Sequence, residues 1–341
     1  MSSKLIKFPV DRAIDIIPMG RIGVDLNANE INRPMEETET FTKYVGGSPA
    51  NIAIGMARLG KKVGFIGRVA DDQFGRFVVN YFDNETIDTT NITIDKDGAK
   101  MGLAFTEIKS PTESSILMYR EGVADLKINP VDVSEEYIKS SKSLLISGTA
   151  LSQSPSREAC FVAMEYAVKH GTVVIFDIDY RPYSWNSMEE VAVYYSMAAK
   201  MSDIIIGSRE EFDLMEALVD PKNTSDQVTA DRWFECKAKV VVIKHGKEGS
   251  IAYTNDGEAY KVSPFPVKLL KSFGGGDAYA SAFLYGLMEG WDIDRSLEFG
   301  SASAAMLVAS HSCSDAMPGS KAVQEFIDKA KAEHGDMVKK L

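Results

Sequence analysis

Three consecutive glycines, Gly274, Gly275 and Gly276, run into Asp277. Beyond them Ala280, Phe283, Leu284, Leu287 and Met288 follow the i, i+3, i+4, i+7, i+8 spacing of a buried helix face. The glycines therefore open a helix. Backbone N–H groups at such a start have no partner inside the helix, and the aligned peptide dipoles add partial positive charge, so the turn suits a phosphate. Asp277 at its edge is a candidate base for an attacking hydroxyl. An anion cradle beside a carboxylate is what phosphoryl transfer to an alcohol requires.

A second glycine turn, Gly46-Gly47-Ser48-Pro49-Ala50-Asn51, precedes another helical pattern. Ser48 suits the N-cap and Pro49 the first helical position. Ala50, Ala53, Ile54 and Ala57 line one face, and Gly60 suits the C-terminal cap. Asn51 lies in the first turn, where it could bond a ligand hydroxyl. Taken alone, this is equally an ordinary helix start.

Both turns need a frame. Val- and Ile-rich runs at Ile14–Met19, Val63–Ile66, Leu144–Ser147, Val173–Asp177, Ile204–Ile206 and Val240–Lys244 read as strands, several without the polar alternation of a half-exposed sheet. Helical patterns lie at Pro49–Leu59, Gln73–Phe82, Arg157–His170, Glu189–Ala199, Glu210–Leu218, Asp277–Met288 and Asp294–Ala309. The alternation predicts an α/β fold in one domain, with a mostly parallel sheet covered on both faces. Asn27–Tyr44 is polar and lacks a helical face. Lys100–Tyr119 reads as two strands, Gly102–Ile108 and Ser115–Tyr119, about a turn at Ser110–Glu113. These two segments are expected to form a small accessory sheet, a lid of roughly residues 27–44 and 100–125.

The chain has 341 residues, 45% of them hydrophobic, and a net charge of −11. That charge disfavours a broad nucleic-acid surface but leaves room for a local basic pocket. Cys160, Cys236 and Cys313 are widely spaced, as reduced thiols in a cytoplasm would be. Four scattered histidines give no zinc pattern. No apolar run approaches a membrane span, and the stretch Met1 to Pro18 does not read as a signal peptide. A P-loop sequence, a complete dinucleotide fingerprint after Gly20 and Gly23, and a Gly-x-Ser-x-Gly elbow are all missing.

The pairing of Gly46-Gly47-x-x-Ala50-Asn51-x-Ala53 with a late Gly-Gly-Gly-Asp277 resembles the ribokinase (PfkB) family of carbohydrate kinases, over about Ile14 to Pro318. The resemblance implies a ribokinase-like α/β/α sandwich with a small β-sheet lid. It implies ATP and magnesium as cosubstrate and ion, a small-molecule sugar substrate, and a possible homodimer through the lid. The blocks Asp25-Leu-Asn-Ala, Asn32-Arg-Pro-Met-Glu-Glu, Ala104-Phe-Thr-Glu-Ile-Lys-Ser-Pro, Ile116-Leu-Met-Tyr-Arg and Ser314-Asp-Ala-Met-Pro narrow it further. They are similar to members of bacterial myo-inositol breakdown that phosphorylate the six-position hydroxyl of a six-carbon keto acid.

Residue by residue, the resemblance makes Asp277 the catalytic base and gives the amides of Gly274, Gly275 and Gly276 the transferring phosphoryl group. Asp25, Gly46, Gly47 and Asn51 match sugar contacts. Arg120 and Arg181, the latter in Asp177-Ile-Asp179-Tyr-Arg181, match arginines that hold a substrate carboxylate, although each could instead make a surface salt bridge; Arg33 and Lys43 are weaker candidates. Glu211, in Ser208-Arg-Glu-Glu211, matches a glutamate that positions magnesium through water, with Ser208 replacing the family's Asn. Gly246 and Gly249 match the nucleotide-binding turn. Residues around Ala302–Val308 are expected near the adenine. Lys271 stands where many relatives carry an aspartate that helps hold a monovalent cation, and its ammonium could replace that ion. The rival readings are a kinase of 2-keto-3-deoxygluconate or fructose, and a sugar- or nucleotide-binding regulator without catalysis.

Overall fold

The computed structural model describes residues 5–341. Its principal sheet has eight strands: β1 (Ile17–Met19), β8 (Ser143–Ser147), β9 (Val173–Asp177), β10 (Ile204–Ser208), β11 (Val240–Lys244), β12 (Ser250–Thr254), β13 (Ala259–Val262) and β14 (Val338–Lys340), in that spatial order. The pairs from β1 to β11 are parallel and those from β11 to β14 antiparallel. A four-stranded sheet has the order β3 (Phe41–Gly46), β2 (Gly23–Ala28), β6 (Gly102–Ser110), β7 (Glu113–Tyr119). A two-stranded sheet joins β4 (Gly67–Ala70) to β5 (Ile92–Asp95).

The unbroken apolar runs are explained by burial on both faces. Leu145, Ile175, Ile206 and Val242 point to one side and pack with Ala53, Ala280 and Phe283 of the helices Ser48–Arg58 and Gly275–Met288. Leu144, Ile146, Phe176, Ile205 and Ile243 point to the other, against the helices Ser156–His170 and Met188–Lys200. Successive residues serve opposite cores, so no polar position can be spared along these strands.

The expected strand Val63–Ile66 is corrected. It contributes only isolated bridges, Ile16 to Val63 and Met19 to Ile66 beside β1 and Gly64 to Asp88 on its other side. Ile66 N–H donates to the Pro18 carbonyl at 3.1 Å, but Pro18 has no N–H to return, so the ladder stays broken. The capping expectation at the second turn shifts by one residue. Gly47 is the N-cap, at φ 105°, and Ser48 is already helical. Helices Asp226–Phe234 and Ser320–His334, each with a mixed polar pattern, were not expected from the sequence.

Asn27–Tyr44 holds the end of β2 and most of β3, so its polar character reflects a sheet with one wet face. In register, Asp25 lies opposite Tyr44 and Ala104, and Ala104 opposite Met118. The side-chain alternation puts Asp25, Asn27, Ala104, Thr106, Ile116 and Met118 on one face and Leu26, Phe105, Leu117 and Tyr119 on the other.

Candidate active site

The parallel strands end together. Ser147 pairs with Asp177, Ile206 with Asp177, and Ser208 with Lys244. Open α/β sheets bind ligands at this edge, beyond the carboxyl ends of the strands. Two helices start over it, Ser48–Arg58 and Gly275–Met288, and they are packed together. Between this edge and the Asp25 face of the four-stranded sheet lies a cavity of about 100 Å³. Asp25, Gly47, Asn51, Arg181, Gly274 and Asp277 line it, together with Arg21 and Tyr183.

The two glycine turns, 226 residues apart at Asn51 and Asp277, meet at one hydrogen bond. Asn51 Nδ2 donates to Asp277 Oδ2 at 2.8 Å. Burial pushes the Asp277 carboxyl above the usual carboxylate range; the charge of Asp179 adds to this, and the Asn51 hydrogen bond opposes it. Asp25 is pushed up to about 7 by burial, with Arg21 opposing and Asp277 reinforcing. Asp177 is also raised, chiefly by burial, against the pull of Lys244. It accepts from Ser48 Oγ at 3.1 Å. The site is thus a group of carboxylates whose charge is held in check by a few cations.

Close approach explains the glycines. A Cβ on Gly46 would lie 1.9 Å from Asp25 Oδ1, and one on Gly47 would lie 2.4 Å from the Arg21 carbonyl. Gly274, the N-cap of its helix at φ 86°, would press a Cβ to 2.4 Å from Cys313 Sγ. Gly275 would meet Val308 Cγ1 at 3.0 Å, whereas a Cβ on Gly276 would have a single neighbour within 4 Å, Lys244 Nζ at 3.6 Å.

Asp179 sits at φ 39°, in the left-handed region, where aspartate is better tolerated than most residues. Ser147 Oγ donates to it at 3.0 Å, and Arg181 pairs with it at 2.7 Å. That pairing holds the Arg181 guanidinium at the cavity. Arg21 joins it from the end of β1, its Nη1 3.2 Å from Tyr183 Oη and its Nε buried without a partner. Arg120 stands outside the cavity lining. Its guanidinium forks onto buried Asp125 at 2.6 and 3.3 Å. Lys43 lies over the Phe77 ring at 3.8 Å, and Arg33 is exposed.

Glu211 closes a capping box: its oxygens accept from Ser208 N–H at 2.7 Å and from Tyr180 N–H at 2.8 Å. Gly246 and Gly249 form the turn after β11, both at positive φ, and a Cβ on Gly249 would collide with the Val262 carbonyl at 1.9 Å. Lys271 is fully buried rather than a surface lysine. Its Nζ donates to the Ser312 carbonyl at 2.6 Å and the His311 carbonyl at 3.3 Å, and lies 3.3 Å from Cys313 Sγ. Its partners are neutral carbonyls and a thiol, a ligand set that would also suit a bound cation.

Sequence reasoning misses Arg21 as a cavity residue and reads Lys244 only as the start of the nucleotide-binding turn. Each follows the apolar run of a parallel strand, and that position was the available signal.

A parallel sheet with a glycine turn at a helix start, an adjoining half-buried carboxylate and a small sheet over the cavity is the arrangement of a sugar-kinase class of protein. A family profile described as "pfkB family carbohydrate kinase" matches residues 13–319. The chain belongs to that family. It is 66% identical to the 5-dehydro-2-deoxygluconokinase of Clostridium tetani over 333 residues, covering 98% of each chain. It is 60% identical to the protein of that name from Geobacillus thermodenitrificans, covering 96% of this chain and 97% of the other. Among solved structures, it resembles fructokinase with bound ATP from Xylella fastidiosa, with a TM-score of 0.81 and 25% identity over 92% of this chain and 98% of that one. A putative ribokinase II from E. coli, in complex with ATP and Mg2+, shares the fold with a TM-score of 0.83 at 22% identity, over 93% of this chain and 99% of that one.

Proposed function

We propose that this kinase transfers the γ-phosphoryl group of ATP to the six-position hydroxyl of 5-dehydro-2-deoxy-D-gluconate, yielding ADP and the 6-phosphate, as a step of myo-inositol degradation. The observation that carries the reading is the meeting of Asn51 and Asp277 at 2.8 Å in a cavity that also holds two arginines. A neutral sugar needs no guanidinium; a sugar acid does. Arg21 and Arg181, the latter steadied by Asp179, line the cavity and serve the carboxylate, whereas Arg120 stands outside the lining on Asp125. Near-full-length relatives bearing this enzyme's name at 60–66% identity support the same substrate.

Asp25 accepts from the sugar hydroxyls, and Asn51 orients both Asp277 and the substrate. Asp277 takes the hydroxyl proton as the oxygen attacks phosphorus and the bond to the β-phosphate oxygen breaks. The amides of Gly274, Gly275 and Gly276 stabilise the charge that grows on the phosphoryl oxygens. Gly246 and Gly249 let the backbone approach the nucleotide. Among the described residues no three His, Cys, Asp or Glu side chains form a metal cage. Magnesium, which is held largely by phosphates and water, would neutralise phosphate charge here. Glu211, oriented by the Ser208 and Tyr180 N–H groups, would position it through water, as the family resemblance implies.

Lys271 supplies a fixed positive charge beside the glycine turn where a monovalent cation would otherwise sit. Turnover is expected to be similar in potassium and in a bulky organic-cation buffer; a large potassium requirement would count against this role. The protein works in the cytoplasm as a homodimer, its lid sheets joined through the face bearing Phe105, Leu117 and Tyr119. Leu117 and Tyr119 are 49% and 59% exposed, which supports that surface.

The deciding assay is ATP-dependent phosphorylation of purified 5-dehydro-2-deoxygluconate beside 2-keto-3-deoxygluconate and fructose. The expected preference is for the first by at least about 100-fold in kcat/KM. Equal or better use of fructose would refute the substrate, and the absence of turnover on all three would refute the kinase reading.

A further inference from the structure

We infer that Ser48 and Asp177 form a proton relay behind the catalytic base: the proton that Asp277 takes from the sugar hydroxyl passes through the Ser48 hydroxyl to the Asp177 carboxylate. The first turn of the helix Ser48–Arg58 brings the groups together. Ser48 and Asn51 are three places apart and so share a helix face. Asn51 Nδ2 holds Asp277 Oδ2 at 2.8 Å, and Ser48 Oγ donates to Asp177 Oδ2 at 3.1 Å. The Ser48 hydroxyl also has a hydrogen-bonding influence on Asp277, pulling down a carboxyl that burial raises. One hydroxyl therefore stands between two carboxyls. Ser48 and Asp177 are both buried, at 1% and 4% exposure, and neither touches the sugar or the nucleotide in the reaction drawn above.

A hydroxyl has one proton to give and lone pairs to receive with, so Ser48 can accept from one acid while it donates to the other. As the sugar oxygen bonds to phosphorus, its proton moves to Asp277. Asp277 then donates to Ser48 Oγ as the proton of Ser48 moves to Asp177. Asp277 is left ionised, the serine is restored, and Asp177 holds the proton until the products leave. The cavity of about 100 Å³ leaves little room for water to take that proton once substrate fills it. The other acids nearby are committed. Asp179 is held by Arg181 and Ser147, Glu211 accepts two N–H groups, and Asp25 faces the cavity from the small sheet. The charged groups that face Asp177 are Lys244, Asp179, Glu211 and Asp277. Burial raises its carboxyl to about 7 against the pull of Lys244, with the three acids reinforcing, so it holds a proton more firmly than an ordinary carboxylate. Asp277 faces Asp179 and Arg181.

The relay rests on the kinase reading above, and its test keeps the two apart. Ser48→Ala, Asp177→Asn and their double variant are prepared, together with Ser48→Ala beside Asp277→Asn, and each is checked by thermal melting. Turnover is measured on whichever of 5-dehydro-2-deoxygluconate, 2-keto-3-deoxygluconate and fructose the wild type uses best. Each of the positioning residues Ser48 and Asp177, when replaced alone, is expected to cost about 10-fold in kcat with KM for sugar and ATP within about 3-fold, because the relay acts after binding. The double variant should lie within about 2-fold of either single one, since two links of one chain fail as a unit. Beside Asp277→Asn, which has no proton to pass on, Ser48→Ala should cost less than about 2-fold. A residue that only supports the helix would cost the same in every background. Losses that multiply, or an unchanged kcat in a folded Ser48→Ala protein, would overturn the relay. Should one single variant not fold, the other is carried through the comparison with Asp277→Asn. A wild type that phosphorylates none of the three compounds would refute the kinase reading and the relay with it, whereas a wrong choice among the three leaves the relay test intact.

Discussion

At the residue scale the site is a problem of charge management. Asp25, Asp177 and Asp277 are all raised by burial, and Arg21, Arg181 and Lys244 keep them from being neutralised altogether. A base must be ionised to accept a proton. Asp277 has a folded-state pKa above the ordinary 3.8 in the unliganded protein, so kcat/KM should decline as pH falls through a limb lying above that value. A pH–rate profile flat down to pH 4 would contradict the assigned base. Replacing it, as Asp277→Asn, should lower kcat by about 10³-fold and leave nucleotide and acid binding within about 3-fold by calorimetry. Asp277 and Asn51 were legible in the sequence because two glycine clusters flank them. Arg21 was not, because a cation at a strand end has no local signature; only the register of the sheet gives it a direction.

At the element scale, the helices that matter begin where a side chain would not fit. Gly46, the last residue of β3 and two places before the first of these helices, shows the same constraint: its missing Cβ is the space Asp25 occupies. Gly46→Ala should push the Asp25 carboxylate off its position and raise KM for the sugar acid by about 10-fold or more, with ATP affinity little changed. A KM equal to wild type would mean that Asp25 does not touch the sugar. The seven expected helices all appear with ends within about two residues, the usual scatter of helix boundaries. Their apolar stripes and caps are local facts. Less was legible where pairing depends on distant partners. Val63–Ile66 has the composition of a strand, but it lies beside a proline-containing strand and forms only bridges. The strands β12, β13 and β14 return antiparallel at the sheet edge, where half-exposed side chains blur the apolar signal. Lys271 illustrates the same limit. Its burial depends on two carbonyls and a thiol 40 to 42 residues away, which no window of sequence displays.

At the scale of the whole molecule, the small sheet has two different faces. One closes the cavity; the other carries the Phe41–Phe105–Tyr119 edge-to-face cluster. If that apolar face joins two copies, Leu117→Glu should convert the dimer to monomer in light scattering, because a desolvated carboxylate would have no partner there. A wild-type protein that is itself monomeric at assay concentrations would rule the interface out. The small sheet is also tied to the main body through one loop. Asn27 Nδ2 donates to the His311 carbonyl at 2.9 Å, His311 Nε2 meets the Ala28 carbonyl at 2.8 Å, and Tyr44 Oη lies 3.1 Å from His311 Nδ1. The same carbonyl of His311, with that of Ser312, receives Lys271, three residues before Gly274. The sheet over the cavity and the glycine turn beneath it therefore share a hinge-pin. Whatever steadies one should steady the other, so the acid is expected to tighten a non-hydrolysable ATP analogue by about 5-fold or more, and the analogue to tighten the acid equally. His311→Ala should erase that reciprocity while sparing each ligand's solitary binding. Independent binding in the native enzyme would show that the pin transmits nothing.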